Sequence, residues 1–183
     1  MRPRASAFIA TSLDGFIARP DGSIDWLDDA QALIPEGEDC GYLEFMASID
    51  VIVMGRHTFE KVLTFDPWPY GTTAVYVMSR TPVPIPVALA KTVHNHPASA
   101  ASLVALLGQQ GFQHLYVDGG LTIQGFLSAG LLDEITITVV PVLLGAGRPL
   151  FGPLPNDLEL TLMRSRAYEF GFVQSTYRID AAD

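Results

Sequence analysis

Short apolar runs, glycine turns and amphipathic segments follow one another along most of the chain, most clearly in residues 115–151. This segment reads LYVDGGLTIQGFLSAGLLDEITITVVPVLLGAGRPLF. Residues 115–117 predict a buried strand, and Gly119 and Gly120 allow a turn that a side chain would hinder. A helix is predicted next, because apolar side chains recur at helical spacing: Ile123, Phe126 and Leu127. Alternation of side chains over residues 135–140 predicts a further strand.

The rest of the chain repeats this order of strand, turn and helix. Apolar runs predict strands at 6–11, 50–54, 73–78 and 91–94, and helical spacing predicts helices at 42–49, 58–63 and 98–109. Two alternating runs near the end of the chain, 158–168 and 171–179, predict an antiparallel hairpin. Strands separated by helices and followed by a hairpin indicate an α/β fold with a mostly parallel sheet and an antiparallel edge.

Residues 12–38 depart from this pattern. They contain two turn signals, the first at Asp14, together with several carboxylates and the tryptophan Trp26. We predict a long loop with at most a helical turn, and long loops in compact domains are commonly functional. Trp26 either lines a substrate pocket or anchors the loop by packing. We interpret Asp14 as a turn former rather than an acid catalyst.

Composition narrows the class of protein. A chain of 183 residues fits a single domain, 1–183, with a large core. A net charge of −9 and a pI near 4.7 argue against a nucleic-acid partner. No apolar run approaches the length of a membrane span, and the single cysteine, Cys40, agrees with a reducing cytoplasm. With 49% hydrophobic and 17% charged residues, we expect a well-filled core and a homodimer with an apolar interface.

Three predicted strand ends carry residues suited to phosphate: Gly55-Arg56, Ser79-Arg80 and Gly119-Gly120. In a parallel sheet these ends share the carboxyl edge, where ligands of open α/β sheets bind. Arginine forks onto phosphate, and the first amides of a helix attract anions. Two alternatives stay open at this point. The arginines can be ordinary surface charges, and the glycine pair can be a tight turn that binds nothing.

Several segments together resemble the dihydrofolate reductase superfamily, in the branch of the reductase domain of the bifunctional riboflavin-biosynthesis deaminase-reductase. They are SLDGFIA, VIVMGRHTFE, VMSR, YVDGGLTIQGFL and LLDEITITVVPVLLGAGRPLF. The resemblance covers nearly the whole chain. It implies a three-layer α/β fold with a central, mostly parallel mixed sheet and a C-terminal antiparallel hairpin. It also implies binding of NADPH and hydride transfer to a small-molecule substrate, a heterocycle or carbonyl compound.

The resemblance also implies roles for individual residues. It puts Ala10 and Ile17 beside the nicotinamide, Gly55, Arg56 and Thr58 at the pyrophosphate and adenosine, and Ser79 and Arg80 at the ribose 2′-phosphate. It puts Gly119, Gly120, Leu121 and Thr122 around the diphosphate and Thr138 beside the substrate, where Trp26 is our other candidate substrate-binding residue.

This sequence departs from its relatives at the substrate side. Folate reductases carry a carboxylate near the position of Gln31, and riboflavin reductases carry an arginine in the segment that corresponds to 41–49, where this chain has none. We therefore assign no general acid. His94 and His96 lack a third ligand, so no metal site is expected. An NADPH-dependent reductase is our first hypothesis; a nucleotide-binding protein without turnover and a purely structural homodimer are the others.

Overall fold

The computed structural model describes residues 1–97 and 99–180, and an eight-stranded sheet runs through it. Its strands are β1 (Arg4–Ser12), β3 (Val51–Gly55), β4 (Ala74–Met78), β5 (Val93–His96), β6 (His114–Asp118), β7 (Glu134–Val140), β9 (Leu160–Ala167) and β10 (Val173–Ile179). A separate two-stranded ribbon joins β2 (Phe16–Ala18) to β8 (Arg148–Pro149).

Six neighbouring strands are parallel, in the order β5-β4-β3-β6-β1-β7, and β10 and β9 continue the sheet antiparallel. The inner strands are unbroken apolar runs because both faces are covered, as in β3, where residues 51–54 are fully buried. The register pairs Met54 with Asp118 and Gly55 with Met78, so β3, β4 and β6 end at one level. The α/β class, the mostly parallel sheet and the terminal hairpin are confirmed.

Helices cover both faces of the sheet. They are α1 (Asp25–Gln31), α2 (Tyr42–Ala47), α3 (Arg56–Val62), α4 (Ala100–Gln109) and α5 (Gly120–Ser128). The apolar faces of α4 and α5 form one core with the sheet, and those of α2 and α3 form a second core on its other face. Three layers result, as expected. With ten residues α4 is the longest helix described, and no helix in the described ranges could cross a membrane.

Three local differences from the sequence prediction have physical reasons. Residues 12–38 are not a plain loop but hold β2 and α1, and β8, the partner of β2, is too short to show periodicity. Helix α3 begins at Arg56, two residues early, because Gly55 takes the extended conformation of an N-cap. Strand β5 is shifted toward His96 because the buried Val93 pairs with Val75.

Candidate functional site

Two strand-to-helix junctions contact each other at the carboxyl edge of the sheet. Gly55 is the N-cap of α3, and Gly119 is the N-cap of α5. A β-carbon on Gly55 would lie 2.9 Å from Thr122 Oγ1, and one on Gly119 would overlap Thr58 Oγ1. The φ angle of Gly119 is +91°, in the region that favours glycine. A threonine from each helix therefore fills the space beside the glycine of the other junction.

Arg56 links these junctions to the end of β4. Its Nε and Nη2 donate to Ser79 Oγ at 3.1 and 3.0 Å, and Nη2 also donates to the Thr81 carbonyl oxygen at 2.7 Å. Arg80, between these two residues, is exposed. Since β4 lies next to β3 and β3 next to β6, the structure brings together the three strand ends that the sequence predicted to share an edge.

The amides in the first turn of α5 receive no side-chain acceptor from the part of the chain that the structure describes. No side-chain hydrogen bond from these residues caps the helix, and its first turn contains no acidic residue. Gly120 packs on β2, where an added β-carbon would lie 2.7 Å from Ile17 Cδ1, and Leu121 is 77% exposed. Unpaired amides and the helix dipole both favour an anion. With Arg56 nearby, the chemistry of this edge fits the diphosphate of a dinucleotide.

Ala10 and Thr138 are neighbours across β1 and β7. They pair in the parallel ladder, and Thr138 pairs in turn with Gln174 of β10. Gln174 Nε2 donates to Thr138 Oγ1 and to the Cys40 carbonyl oxygen, each at 2.9 Å. Thr138 is 5% exposed, so the protein itself holds its hydroxyl. The residues assigned to the nicotinamide and to the substrate thus adjoin one another.

Trp26 is buried beneath this region. It is 4% exposed and packs in a third core with Val140, Tyr168 and Phe172. Its Nε1 has no hydrogen-bond partner among the described residues. The burial favours the anchoring role among the two interpretations of Trp26, and contact with a substrate stays a prediction.

Asp118, the last residue of β6, is a titratable group that sequence reasoning missed. Burial raises the pKa of its carboxyl to about 6, although the Gly119 amide and two tyrosine hydroxyls act in the opposite direction. The Tyr70 hydroxyl donates to Asp118 Oδ2 at 3.4 Å. The hydroxyl of the other tyrosine, Tyr116, donates to the Phe8 carbonyl oxygen at 3.0 Å. A carboxyl with this pKa can take up or release a proton near neutral pH.

The tyrosines around Asp118 stay neutral. Burial first, and then the Asp118 carboxylate, raise the pKa of Tyr70 and of Tyr116 far above the ordinary value. They can donate hydrogen bonds but do not titrate near neutral pH. The available sequence signal for Asp118 was its position, between a buried strand and a glycine pair at the carboxyl edge.

A cleft of about 460 Å³ opens between α1 and α2. Tyr42 lines it together with Gln31, the last residue of α1, and with residues from the connection of the two helices: Ile34, Pro35, Glu36, Gly37, Glu38 and Asp39. The Tyr42 ring packs edge-on against Phe8, with ring centroids 5.7 Å apart. Burial and then the Asp118 carboxylate raise the pKa of Tyr42 to about 12. The cleft therefore opens beside the face of β1 that carries Phe8 and Ala10.

Asp14 and His57 each have partners of their own. Asp14 accepts from Ser12 Oγ at 2.6 Å and from the Gly145 amide at 2.7 Å, and the Ser12 hydrogen bond holds its pKa below the ordinary value. It thereby ties the loop after β7 to the end of β1. His57 is exposed, 3.4 Å from Glu60. Among residues 1–97 and 99–180 no three His, Cys, Asp or Glu side chains are placed to hold a metal.

Comparison with known sequences gives a family. Residues 4–173 match the family model described as the RibD C-terminal domain. The uncharacterized protein YwjB of Bacillus subtilis (strain 168) is 35% identical over 171 residues, which is 92% of this chain and 94% of that protein.

Comparison with solved structures agrees with this family. A structure from Shewanella sp. PV-4, described provisionally as a riboflavin biosynthesis protein, is 40% identical with a TM-score of 0.90, over 97% of this chain and 99% of that one. The diaminohydroxyphosphoribosylaminopyrimidine deaminase/5-amino-6-(5-phosphoribosylamino)uracil reductase of Thermotoga maritima has a TM-score of 0.72 at 15% identity, over 98% of this chain and 57% of that one. At that identity the likeness concerns the fold alone.

Proposed function

Because the chain belongs to the family of the RibD C-terminal domain, we propose that it is an NADPH-dependent reductase that acts on a small heterocycle or carbonyl compound. The family supports a reductase-like role. Residues of this chain support the cofactor, the proton donor and the location of the substrate.

The observation that carries the proposal is the meeting of three strand ends at one edge. Arg56 and the first turn of α5 would hold the diphosphate, where no acidic side chain of that turn competes. Arg80, exposed beside Ser79, would meet a 2′-phosphate, which favours NADPH over NADH. Ala10 and Ile17 would flank the nicotinamide. Bound there, NADPH supplies the hydride, and the chain supplies orientation and charge.

Asp118 would hold the proton that accompanies reduction. Its raised pKa keeps a useful fraction of the carboxyl protonated at pH 6–7, and the hydrogen bond from Tyr70 fixes its orientation. The cleft beside Tyr42 would receive the substrate, since Tyr42 packs against Phe8, two residues before Ala10 on β1. Substrate and proton would then meet on the side of the sheet edge that adjoins α2.

Titration of the purified protein with NADPH and with NADH tests the cofactor. We expect NADPH to bind at least about tenfold more tightly, because a forked arginine–phosphate contact contributes more than about 1.4 kcal/mol. Arg80→Ala should remove most of that preference. Arg164→Ala is the matched control, since Arg164 is an exposed arginine on β9, at the opposite edge of the sheet. Equal binding of the two nucleotides, or an unchanged preference in Arg80→Ala, would contradict the assignment.

Turnover separates the reductase from a nucleotide-binding module. NADPH oxidation, followed by the loss of its absorbance, is measured with pterins, aminopyrimidines and carbonyl compounds. Oxidation that depends on one substrate class supports the proposal. Tight NADPH binding without oxidation by any class would favour a sensor or assembly module instead.

A further inference from the structure

The cleft between α1 and α2 has an acidic lining. Three carboxylates, those of Glu36, Glu38 and Asp39, belong to it, and none of the described residues that line it is Lys, Arg or His. Between Arg19 and Arg56 the chain holds nine acidic residues and no Lys, Arg or His. A ligand that enters this cleft therefore meets negative charge.

Two of these carboxylates accept hydrogen bonds from backbone amides of their own loop. Asp39 accepts from the amides of Gly41 and Leu43, each at 2.8 Å, and these bonds hold its pKa below the ordinary value. Glu38 Oε1 accepts from the amides of Cys40 and Asp39 at 2.7 and 3.1 Å. The amides around the start of α2, which could otherwise bind a phosphate, are thus already occupied by carboxylates of the same loop.

Arg166, which contacts one residue of this lining, is also engaged. Arg166 Nη2 lies 3.1 Å from Glu38 Oε2, and its guanidinium stacks over the Tyr168 ring at 4.2 Å from the ring centroid. Its charge offsets that of Glu38, and the stacked ring limits its movement. Glu36 and Asp39 still face the cleft with negative charge.

We infer that the substrate of this protein carries no phosphate at the end that enters the cleft: it is a neutral or cationic compound. This inference rests on the proposed function and sharpens its substrate class. A phosphate dianion needs arginine, lysine or free amides, and the cleft offers carboxylates instead. A hydroxyl, amide or amino group can donate hydrogen bonds to those carboxylates.

Matched ligands that differ only in one phosphate test the inference. The pair is 5-amino-6-(5-phosphoribosylamino)uracil and the same compound after removal of its phosphate, titrated into protein saturated with NADP⁺. Saturation fills the Arg56–Arg80 edge, so the ligand's phosphate cannot bind there. We expect the dephosphorylated compound to bind at least about tenfold more tightly than the phosphate ester. This affinity gap between the two compounds should shrink as salt screens the carboxylates.

Charge-neutralising variants locate the effect. The double variant Glu36→Gln, Asp39→Asn removes two charges but keeps side-chain oxygens that can accept hydrogen bonds from the amides. It should bind the phosphate ester more tightly, so the affinity gap between the two compounds should narrow at least about threefold. Asp28→Asn, an exposed acid of α1 outside the lining, is the control and should leave the gap unchanged.

Three results would overturn the inference. They are tighter or equal binding of the phosphate ester, an unchanged gap in the double variant, and failure of both compounds to bind. None of these results would contradict the reductase assignment, because that assignment is tested by NADPH binding and oxidation. A protein that oxidises NADPH yet prefers the phosphate ester would retain the proposed function and refute this substrate class.

Discussion

The two ends of the proposed site have opposite character. The cofactor end is formed by residues that directly follow parallel strands, and it carries Arg56 and Arg80. The substrate end is formed by the connection from α1 to α2, and its lining is acidic. One end is thus made by the sheet and is basic, whereas the other is made by a loop and is acidic.

This difference separates what the fold imposes from what the loop selects. In any parallel sheet the strand ends converge at one edge, so glycines and arginines placed there meet whatever the loops contain. The loop that carries Glu36, Glu38 and Asp39 is free to change without loss of the sheet. The opposite charges would also orient a ligand pair, with the phosphates of NADPH drawn away from the substrate cleft.

The largest expected effect comes from glycine substitutions that compare the two ends. Gly119→Ala should lower the free energy of unfolding by about 2–5 kcal/mol, because the added methyl group overlaps Thr58 and the φ angle is unfavourable. Gly37→Ala, at the substrate end, has a similar φ of +84°, but no atom of the described residues lies within 4 Å of the added β-carbon, and the change should cost only about 1–2 kcal/mol. Denaturant unfolding of both variants measures the difference.

A second substitution isolates the steric part of this effect. Thr58→Ala removes the hydroxyl that the new methyl group would meet, so the double variant Gly119→Ala, Thr58→Ala should recover at least about 1 kcal/mol relative to the sum of the single changes. Simple additivity of the two changes would show that the junctions do not interlock. Equal costs for Gly119→Ala and Gly37→Ala would remove the contrast between the two ends.

The part of the site that could be predicted from the sequence is the part made by the sheet, and the part made by the loop could not be predicted. Gly55, Arg56, Ser79 and Gly119 could be predicted to converge, because strand periodicity and the parallel order place them by rule. The cleft could not, since α1 has seven residues and the connection beyond it shows no period. Its lining depends on a loop conformation set by contacts such as Asp39 with its own backbone.

Asp118 shows a different reason for a missed residue. Its position at the end of β6 was visible, but the raised pKa depends on burial beneath tyrosines from distant parts of the chain, Tyr70 among them. Trp26 shows a third reason why the sequence alone did not settle a residue's role. A tryptophan in a loop suggested either a pocket wall or an anchor, and only tertiary packing against Phe172 distinguishes the two.

Two carboxylates, one near each end, should respond to pH with opposite sign. Asp118 has a folded pKa of about 6 against an unfolded value near 3.8, so the folded state binds more protons between these values and loses stability as pH rises through that window. Asp118→Asn should therefore stabilise the protein at pH 8 by about 2 kcal/mol, since each pH unit between the two pKa values contributes about 1.4 kcal/mol and solvent at the partly exposed residue screens part of the effect. The gain should vanish near pH 4.

Asp39→Asn is the matched comparison. Hydrogen bonds from the amides of Leu43 and Gly41 lower the pKa of Asp39, so its contribution to stability is present above pH 3.8 and is lost as pH falls through the lower folded value. The variant should be less stable than the unchanged protein at pH 7, by an amount that shrinks on acidification. Thermal unfolding from pH 3 to pH 8 measures both variants, and shifts of the same sign would contradict the comparison.

Asp118→Asn should also slow turnover while it stabilises. If Asp118 holds the proton, its loss should reduce NADPH oxidation at least about tenfold, and the rate of the unchanged protein should fall as pH rises through about 6. Such an exchange of stability for activity is expected of a carboxyl kept in an unfavourable environment. A stabilised variant with full activity would leave Asp118 as a structural group.

The smallest expected effect tests whether the cofactor end acts independently. Ser79 accepts from Arg56 and donates to the Thr81 carbonyl oxygen at 2.6 Å, so Ser79→Ala should cost only about 1 kcal/mol of stability while it releases the guanidinium from one partner. NADPH affinity should fall about threefold to tenfold, and affinity of the cleft for its ligand should not change. Ser48→Ala removes a comparable hydrogen bond, from Ser48 Oγ to the Phe45 carbonyl oxygen at 2.7 Å, and should alter neither affinity. If Ser79→Ala weakened both ligands equally, the two ends would be coupled through the sheet, and the loop could not choose a substrate without disturbing the cofactor.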